Sequence, residues 1–198
     1  MADENLKSYI YEGREERNLE YKESMNWQEE RIKMKLIKTC LAMANLRDGG
    51  QIVLGVEEPN KNEWIAVGMK DADYNSFNQD DISRKVNNYA DPSIEITLYK
   101  IIIENKKFIV IRVKPFEDIP IICKDDGIDL NAGKIYVRPK SMIECVAVPN
   151  AGEMREILDI AIDNQITKLI QKCNKYKNDN NLVNDSKAKY DEDLKDLL

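Results

Sequence analysis

Histidine is missing altogether from this chain of 198 residues. Its absence rules out a Ser-His-Asp triad, a Cys-His dyad, a histidine general base and any histidine-rich metal site. Any catalysis must therefore run on carboxylates, lysine, tyrosine or a bound metal. Cysteine is sparse: Cys40, Cys123, Cys145 and Cys173 are the four, and none are paired at zinc-ligand spacing. They read as small apolar residues of a reducing compartment. No apolar run reaches the length of a membrane span. The acidic start Met1-Ala2-Asp3-Glu4-Asn5 offers no basic-then-apolar leader. A cytosolic protein with no membrane partner is the expectation. Gly49-Gly50 is followed by an apolar strand, and no Gly-x4-Gly-Lys-Ser/Thr occurs anywhere, so nothing here supports a phosphate-cradling P-loop.

Charge is what the chain has in quantity. Charged residues make up 33% and hydrophobic ones 42%, with 36 acidic against 30 basic side chains and a net charge of −6. That describes an ordered, charge-rich chain long enough for one domain and a modest appendage. The acidic balance counts against a large nucleic-acid footprint, but leaves room for a local basic groove or for a metal that screens phosphate.

Periodicity gives an outline. Residues Leu6–Arg17 form a short leading segment with Tyr9, Ile10 and Tyr11 able to pack, and Leu19–Lys22 reads as a strand. From Trp27 to about Asn45, Ile32, Leu36, Ile37, Cys40, Leu41 and Ala44 recur at three- and four-residue steps, the stripe of an amphipathic helix. Asp48-Gly49-Gly50 turns the chain into Gln51–Val56, a continuous apolar strand of the kind buried on both faces. Glu57–Glu63 reads as a polar turn, and Trp64–Gly68 as a strand hairpinned to the preceding one. Asp80–Asn88 is a helix with Ile82 and Val86 inward. Tyr99–Ile103 and Phe108–Val113 form a second hairpin, and Ile119–Lys124 and Lys134–Arg138 two short strands. The pattern predicts an α+β fold, a mixed β-sheet with packed helices, over residues 1–150.

A C-terminal helical extension follows over 151–177. Ile162, Ile166, Leu169, Cys173 and Tyr176 repeat at steps of four, three, four and three, a coiled-coil-like seam. Two roles stay open for it: docking on its own domain, or dimerisation. Residues 178–198 read as a polar linker with a weak terminal helix.

Phosphodiester cleavage without histidine needs a hard divalent cation held by carboxylates, which polarises the phosphoryl oxygen and activates water. Glu15 and Glu20, five apart, point to different sides of a regular strand or helix, and converge only if the chain bends between Glu16 and Leu19. Glu20 and Lys22 share a strand face, so Lys22 either neutralises charge on a phosphate or pairs with Glu20. Glu58 follows the buried strand, at a sheet edge. Arg112, Lys114, Lys134, Arg138 and Lys140 form a basic group on or near the late strands, where solvated sheet-face charges are the plainer reading.

Read in order, these residues spell Glu15-x4-Glu20-Tyr21-Lys22, a helix, Ala44-Asn45-x3-Gly49-Gly50, a strand, and Gly55-Val56-Glu57-Glu58. Together with Ile135-Tyr136-Val137-Arg138, the order resembles the Schlafen-type AlbA_2 domain family, also called divergent AAA-4, over roughly Glu12 to Ile157. The resemblance implies a single Schlafen-like lobe that binds nucleic acid, as a metal-dependent endoribonuclease acting on structured, tRNA-like RNA rather than DNA. Glu15, Glu20 and Glu58 would then hold Mg²⁺ or Mn²⁺, with Lys22 catalytic beside them and Lys22, Arg138 and Lys140 near phosphate. Two departures stand out: Leu46 replaces the family's usual threonine, and the acidic pair is Glu57-Glu58 where aspartates are common. The longer arm shifts a ligand oxygen by ~1.5 Å. A non-catalytic regulator of the same fold and a partner-binding module are the alternatives. Because Schlafen nucleases enclose their groove between two lobes, a chain with one lobe is expected to act as a homodimer.

Overall fold

A strand, a helix and a second strand parallel to the first begin the sheet. In the computed structural model, which describes residues 2–61, 63–142 and 144–195 and the side chains of 6–61, 63–142 and 144–175, helix α1 spans Ala2–Tyr11 and strand β1 spans Leu19–Lys22. Helix α2 (Glu30–Ala44) then carries the chain back so that β2 (Gly50–Leu54) lies parallel to β1, with Glu20 beside Ile52 and Lys22 beside Leu54. A parallel pair needs such a crossover, and the α2 stripe supplies it. Strands β6 (Ile96–Ile103) and β7 (Lys106–Val113) complete a four-stranded mixed sheet in the order β1-β2-β7-β6. This is the α+β architecture that the sequence pattern predicts.

Alternation along β7 divides the core. Phe108 and Val110 pack with Leu19, Tyr21 and Val53 against Leu6 and Ile10 of α1. The leading segment is thus a helix, because Leu6 and Ile10 lie one turn apart. Ile109 and Ile111 are fully buried one residue out of phase, toward the opposite face. α2 packs on β2 and β7 and buries Leu36, Ile37, Cys40 and Leu41. Trp27 precedes α2 rather than starting it. It is fully buried, and its indole N–H donates to Asp81 at 2.6 Å.

Two glycines set the strand ends. Gly49 has φ +69°, and a Cβ there would collide with the Val113 carbonyl oxygen. Gly55, at φ +103°, stops β2 at Leu54, two residues short of the expected Val56, and a Cβ on it would meet Phe108 at 2.9 Å. The chain therefore breaks at Gly55. Val56–Asn60 becomes a separate strand, β3, paired with β4 (Glu63–Ala66) rather than leaving β4 to pair with β2. The polar run expected to turn is strand, because its exposed side chains sit on a two-stranded ribbon with a solvated face.

Helix α3 (Asp71–Ser76), which periodicity does not signal, precedes α4 (Gln79–Asn87), whose Ile82 and Val86 are buried as expected. Asn78 caps α4 by accepting from the N–H groups of Asp80 and Asp81. Short strands β5 (Ala90–Asp91) and β8 (Ile122–Cys123) pair, as do β9 (Tyr136–Val137) and β10 (Val146–Ala147). Asn45 fastens these late segments to α2. Its amide N–H₂ serves the carbonyls of Leu41, Ile121 and Tyr136 at 3.2, 3.0 and 3.0 Å, and its oxygen accepts from Ile121 N–H at 2.8 Å.

The chain divides into two units, Met1–Leu158 and Asp159–Leu198. Helix α5 (Ala151–Lys195) begins in the first, where Glu153 N–H donates to the Asn150 side chain at 3.0 Å. The second unit is the continuation of α5. It runs as helix through 178–187, where composition predicts a linker, since neither glycine nor proline follows Gly152. Ile162, Ile166, Leu169 and Ile170 are 50–61% exposed. Among the described residues no helix is long and apolar enough to cross a membrane.

Candidate nucleic-acid site

The bend that Glu15 and Glu20 require is present. Glu16 and Leu19 exchange backbone hydrogen bonds of 3.0 and 3.1 Å, closing a turn over Arg17 and Asn18. Asn18 ties it to β2 through its carbonyl, which accepts from Gln51 N–H at 2.8 Å. Folded back in this way, Glu15 accepts from Tyr21 N–H at 2.8 Å. Arg17 holds the turn from outside. Its guanidinium bonds the Arg138 carbonyl and reaches Glu156 at 2.7 Å and Glu153 at 3.0 Å.

Two charge environments result. Behind β1, Glu20 is 6% exposed and ion-paired to both Lys22 and Arg138. Arg138 is 0% exposed; it also donates to the Glu16 carbonyl at 3.3 Å, while its Nε has no hydrogen-bond partner among the described residues. In front, Glu15, Tyr21, Lys22, Glu23, Val56, Glu58 and Trp64 line a cleft of about 300 Å³. Lys22 joins the two environments, since it lines the cleft while pairing with the buried Glu20. Pairing of Glu57 with Ile65 across the β3–β4 ribbon brings Glu58 and Trp64 alongside, and Trp64 packs on Tyr21 with ring centroids 5.1 Å apart.

Desolvation by burial holds the Glu15 carboxyl above its usual range, against the lowering pull of the Tyr21 N–H and of Lys22, with Glu20 adding to the rise. A carboxylate kept costly in a cleft is a functional-site signature with a physical basis.

Sequence-predicted residues thus separate. The structure brings Glu15, Lys22 and Glu58 to one cleft and sets Glu20 behind it. Arg138, expected near phosphate, lies in the interior, where its guanidinium has no exposed surface and pairs with Glu20. Lys140 is exposed and pairs with Glu156 at 3.4 Å. Of the three carboxylates expected to hold a metal, Glu15 and Glu58 line the cleft, while Glu20 is engaged by Lys22 and Arg138. Among the described residues, no three His, Cys, Asp or Glu side chains are grouped so as to hold a metal. Arg17, Glu23 and Trp64 go unremarked in the sequence pattern as site residues. The signal for Trp64 lay in the β3–β4 pairing, which the polar composition of Glu57–Asn60 concealed.

A larger groove of about 660 Å³, lined among others by Ile94, Pro115, Phe116, Ile119 and Ile121, contains none of these motif residues.

Residues 15–147 match the family model of Schlafen, AlbA_2. The chain belongs to the Schlafen AlbA_2 family. Membership supports a nucleic-acid-binding domain. No curated protein matches this Schlafen AlbA_2 chain. Among solved structures, it is similar to the DIP2311 protein from Corynebacterium diphtheriae, with a TM-score of 0.50 and 14% identity. That likeness covers 78% of this chain and 27% of the other, so this chain spans about a quarter of that protein. At that identity the likeness concerns the fold alone. The N-terminal domain of a RecG-related protein from Nitrosomonas europaea is also similar, with a TM-score of 0.43 and 19% identity over 63% of this chain and 84% of that one.

Proposed function

We propose that this Schlafen AlbA_2 domain binds single-stranded segments of RNA, such as the loops of tRNA-like molecules, by taking a base into the Glu15–Lys22–Glu58–Trp64 cleft. The observation that carries the reading is the joint presence of Lys22 and Trp64 on its wall. An aromatic face stacks any unpaired base, worth about 1–3 kcal/mol per base, and a lysine at the mouth meets the adjoining phosphate. The cleft's three carboxylates against one ammonium repel a bare phosphodiester. They suit the amino donors on base edges instead, to which glutamate is a natural acceptor. Unstacked bases are far commoner in RNA loops than in duplex DNA, which favours RNA. Two copies of the chain would supply the two lobes of an enclosing groove.

The chain's two tryptophans make the test direct. Trp27 is fully buried, so fluorescence quenched by an oligoribonucleotide reports Trp64. Saturable quenching, weakened by Lys22→Ala and with a log–log salt slope of about −0.7 per phosphate contacted, is the expected result. No quenching at any salt concentration would move the domain to partner binding.

The second reading is cleavage, with Mg²⁺ or Mn²⁺ at Glu15, Glu20 and Glu58. It is favoured by the meeting of Glu15, Lys22 and Glu58 at one cleft in the family's order. It also requires a cation to displace Lys22 or Arg138 from Glu20. Incubation with total tRNA, with and without Mn²⁺, separates the two. Mn²⁺-dependent fragments lost in a Glu15→Gln/Glu20→Gln/Glu58→Gln variant would establish turnover.

A further inference from the structure

The second unit carries the strongest unabsorbed pattern in the molecule. α5 is a single helix of 45 residues, about 68 Å long at 1.5 Å per residue. Along it Ile162, Ile166, Leu169 and Cys173 follow one another at four, three and four residues, the 3.5-residue repeat of a supercoiled seam. Because the helix does not stop at a linker, the repeat runs on in the sequence through Tyr176, Asn180, Val183, Lys187, Tyr190 and Leu194. Placing Ile162 at heptad position d assigns Ile166, Cys173, Asn180, Lys187 and Leu194 to a, and Leu169, Tyr176, Val183 and Tyr190 to d.

The described part of that seam is open. Ile162, Ile166 and Leu169 are 55%, 50% and 61% exposed, and Cys173 is exposed. A lone helix gains nothing from apolar residues in water, and most helical stability in proteins comes from covering such a face. Among the described residues of the second unit there is no other helix to cover it. Heptad seams are self-complementary, and a polar Asn at a is the device that fixes register and two-strandedness at some cost in stability.

From this we infer that α5 pairs with α5 of a second copy as a parallel, in-register, two-stranded coiled coil, with Cys173 facing Cys173. The inference rests on the two-copy reading above and gives it a surface and a direction. Two nucleic-acid-binding domains on one tether would act bivalently, with an avidity that neither copy has alone.

Sedimentation of the full chain at micromolar concentration is expected to return twice the monomer mass of 22.9 kDa. Diamide should then link the dimer covalently: two Cys173 thiols release two protons and two electrons, the S–S bond forms, and diamide is reduced to the hydrazine. Cys173→Ser should abolish the link while leaving the mass doubled. Ile166→Glu/Leu169→Glu should return the monomer mass, with the near-ultraviolet signal of the first unit unchanged. A monomer across the micromolar range would overturn both the two-copy reading and its register. A dimer that diamide does not link through Cys173 would overturn the parallel register alone, pointing to an antiparallel pair or another surface.

Discussion

Glu20 and Glu15 lie five residues apart on one turn, yet they occupy opposite kinds of electrostatic environment. Glu20 is buried behind β1 between two cations, in a cluster whose charges close on themselves. Glu15 stands in front, partly desolvated and held by one backbone N–H, in a cleft that it shares with Glu23, Glu58 and a single lysine. Both acids belong to the family motif, but of the two only Glu15 lines the cleft. A motif residue can therefore serve for what it holds together as well as for what it touches.

The sharpest way to break the closed cluster is Arg138→Met. It strands Glu20 as a buried charge with Lys22 alone, and a loss of about 3–5 kcal/mol in urea unfolding is expected. Combining it with Glu20→Leu should restore most of that loss, since an apolar pair of similar bulk tolerates the same interior. If the double variant is as unstable as the single, the cost lies in packing rather than in charge.

Lys22→Ala probes the link between the two environments. It should weaken oligoribonucleotide binding about tenfold, equivalent to 1.4 kcal/mol, and flatten the salt slope by one contact. Equal weakening by Lys140→Ala would mean that the effect is diffuse charge and not the cleft.

Glu15→Gln sharpens the comparison by pH. The folded-state pKa of Glu15 is raised, chiefly by desolvation. Its favourable contribution to folding is therefore present below the unfolded value near 4.5 and lost as pH rises through the raised folded value. At neutral pH the ionised group costs stability. The glutamine keeps an acceptor for Tyr21 N–H without that cost, so the variant should melt higher than the native chain at pH 7, with the difference fading toward pH 4. A lower melting temperature at pH 7 would assign Glu15 a structural role. Glu58→Gln, on an exposed strand, should move stability by no more than about 0.5 kcal/mol.

Strand β1 was legible to the residue, because Leu19-Glu20-Tyr21-Lys22 alternates and is bounded by turn-forming residues. α2, β7 and α4 were legible because an apolar stripe records which side is covered. The interior position of Arg138 was not, since its partner lies 118 residues away and a buried arginine looks the same in sequence as a solvated one. The hairpin containing Glu58 was misread for the opposite reason. Its polar composition describes exposure, and exposure does not distinguish a turn from a solvated ribbon. α3 is too short to show a period. The length of α5 was hidden by asparagine-rich composition, although nothing in it breaks a helix.

Asn45 adds a dimension of time. Its amide is shared by carbonyls 4, 76 and 91 residues away along the chain. The first of these is local, but the other two arrive only after long loops have closed. The clasp is therefore expected to form late in folding, after those loops have closed. Asn45→Ala should speed unfolding while leaving the refolding rate nearly unchanged. The asparagine of the family's Ala-Asn motif would then govern how long the folded domain lasts more than how it is reached.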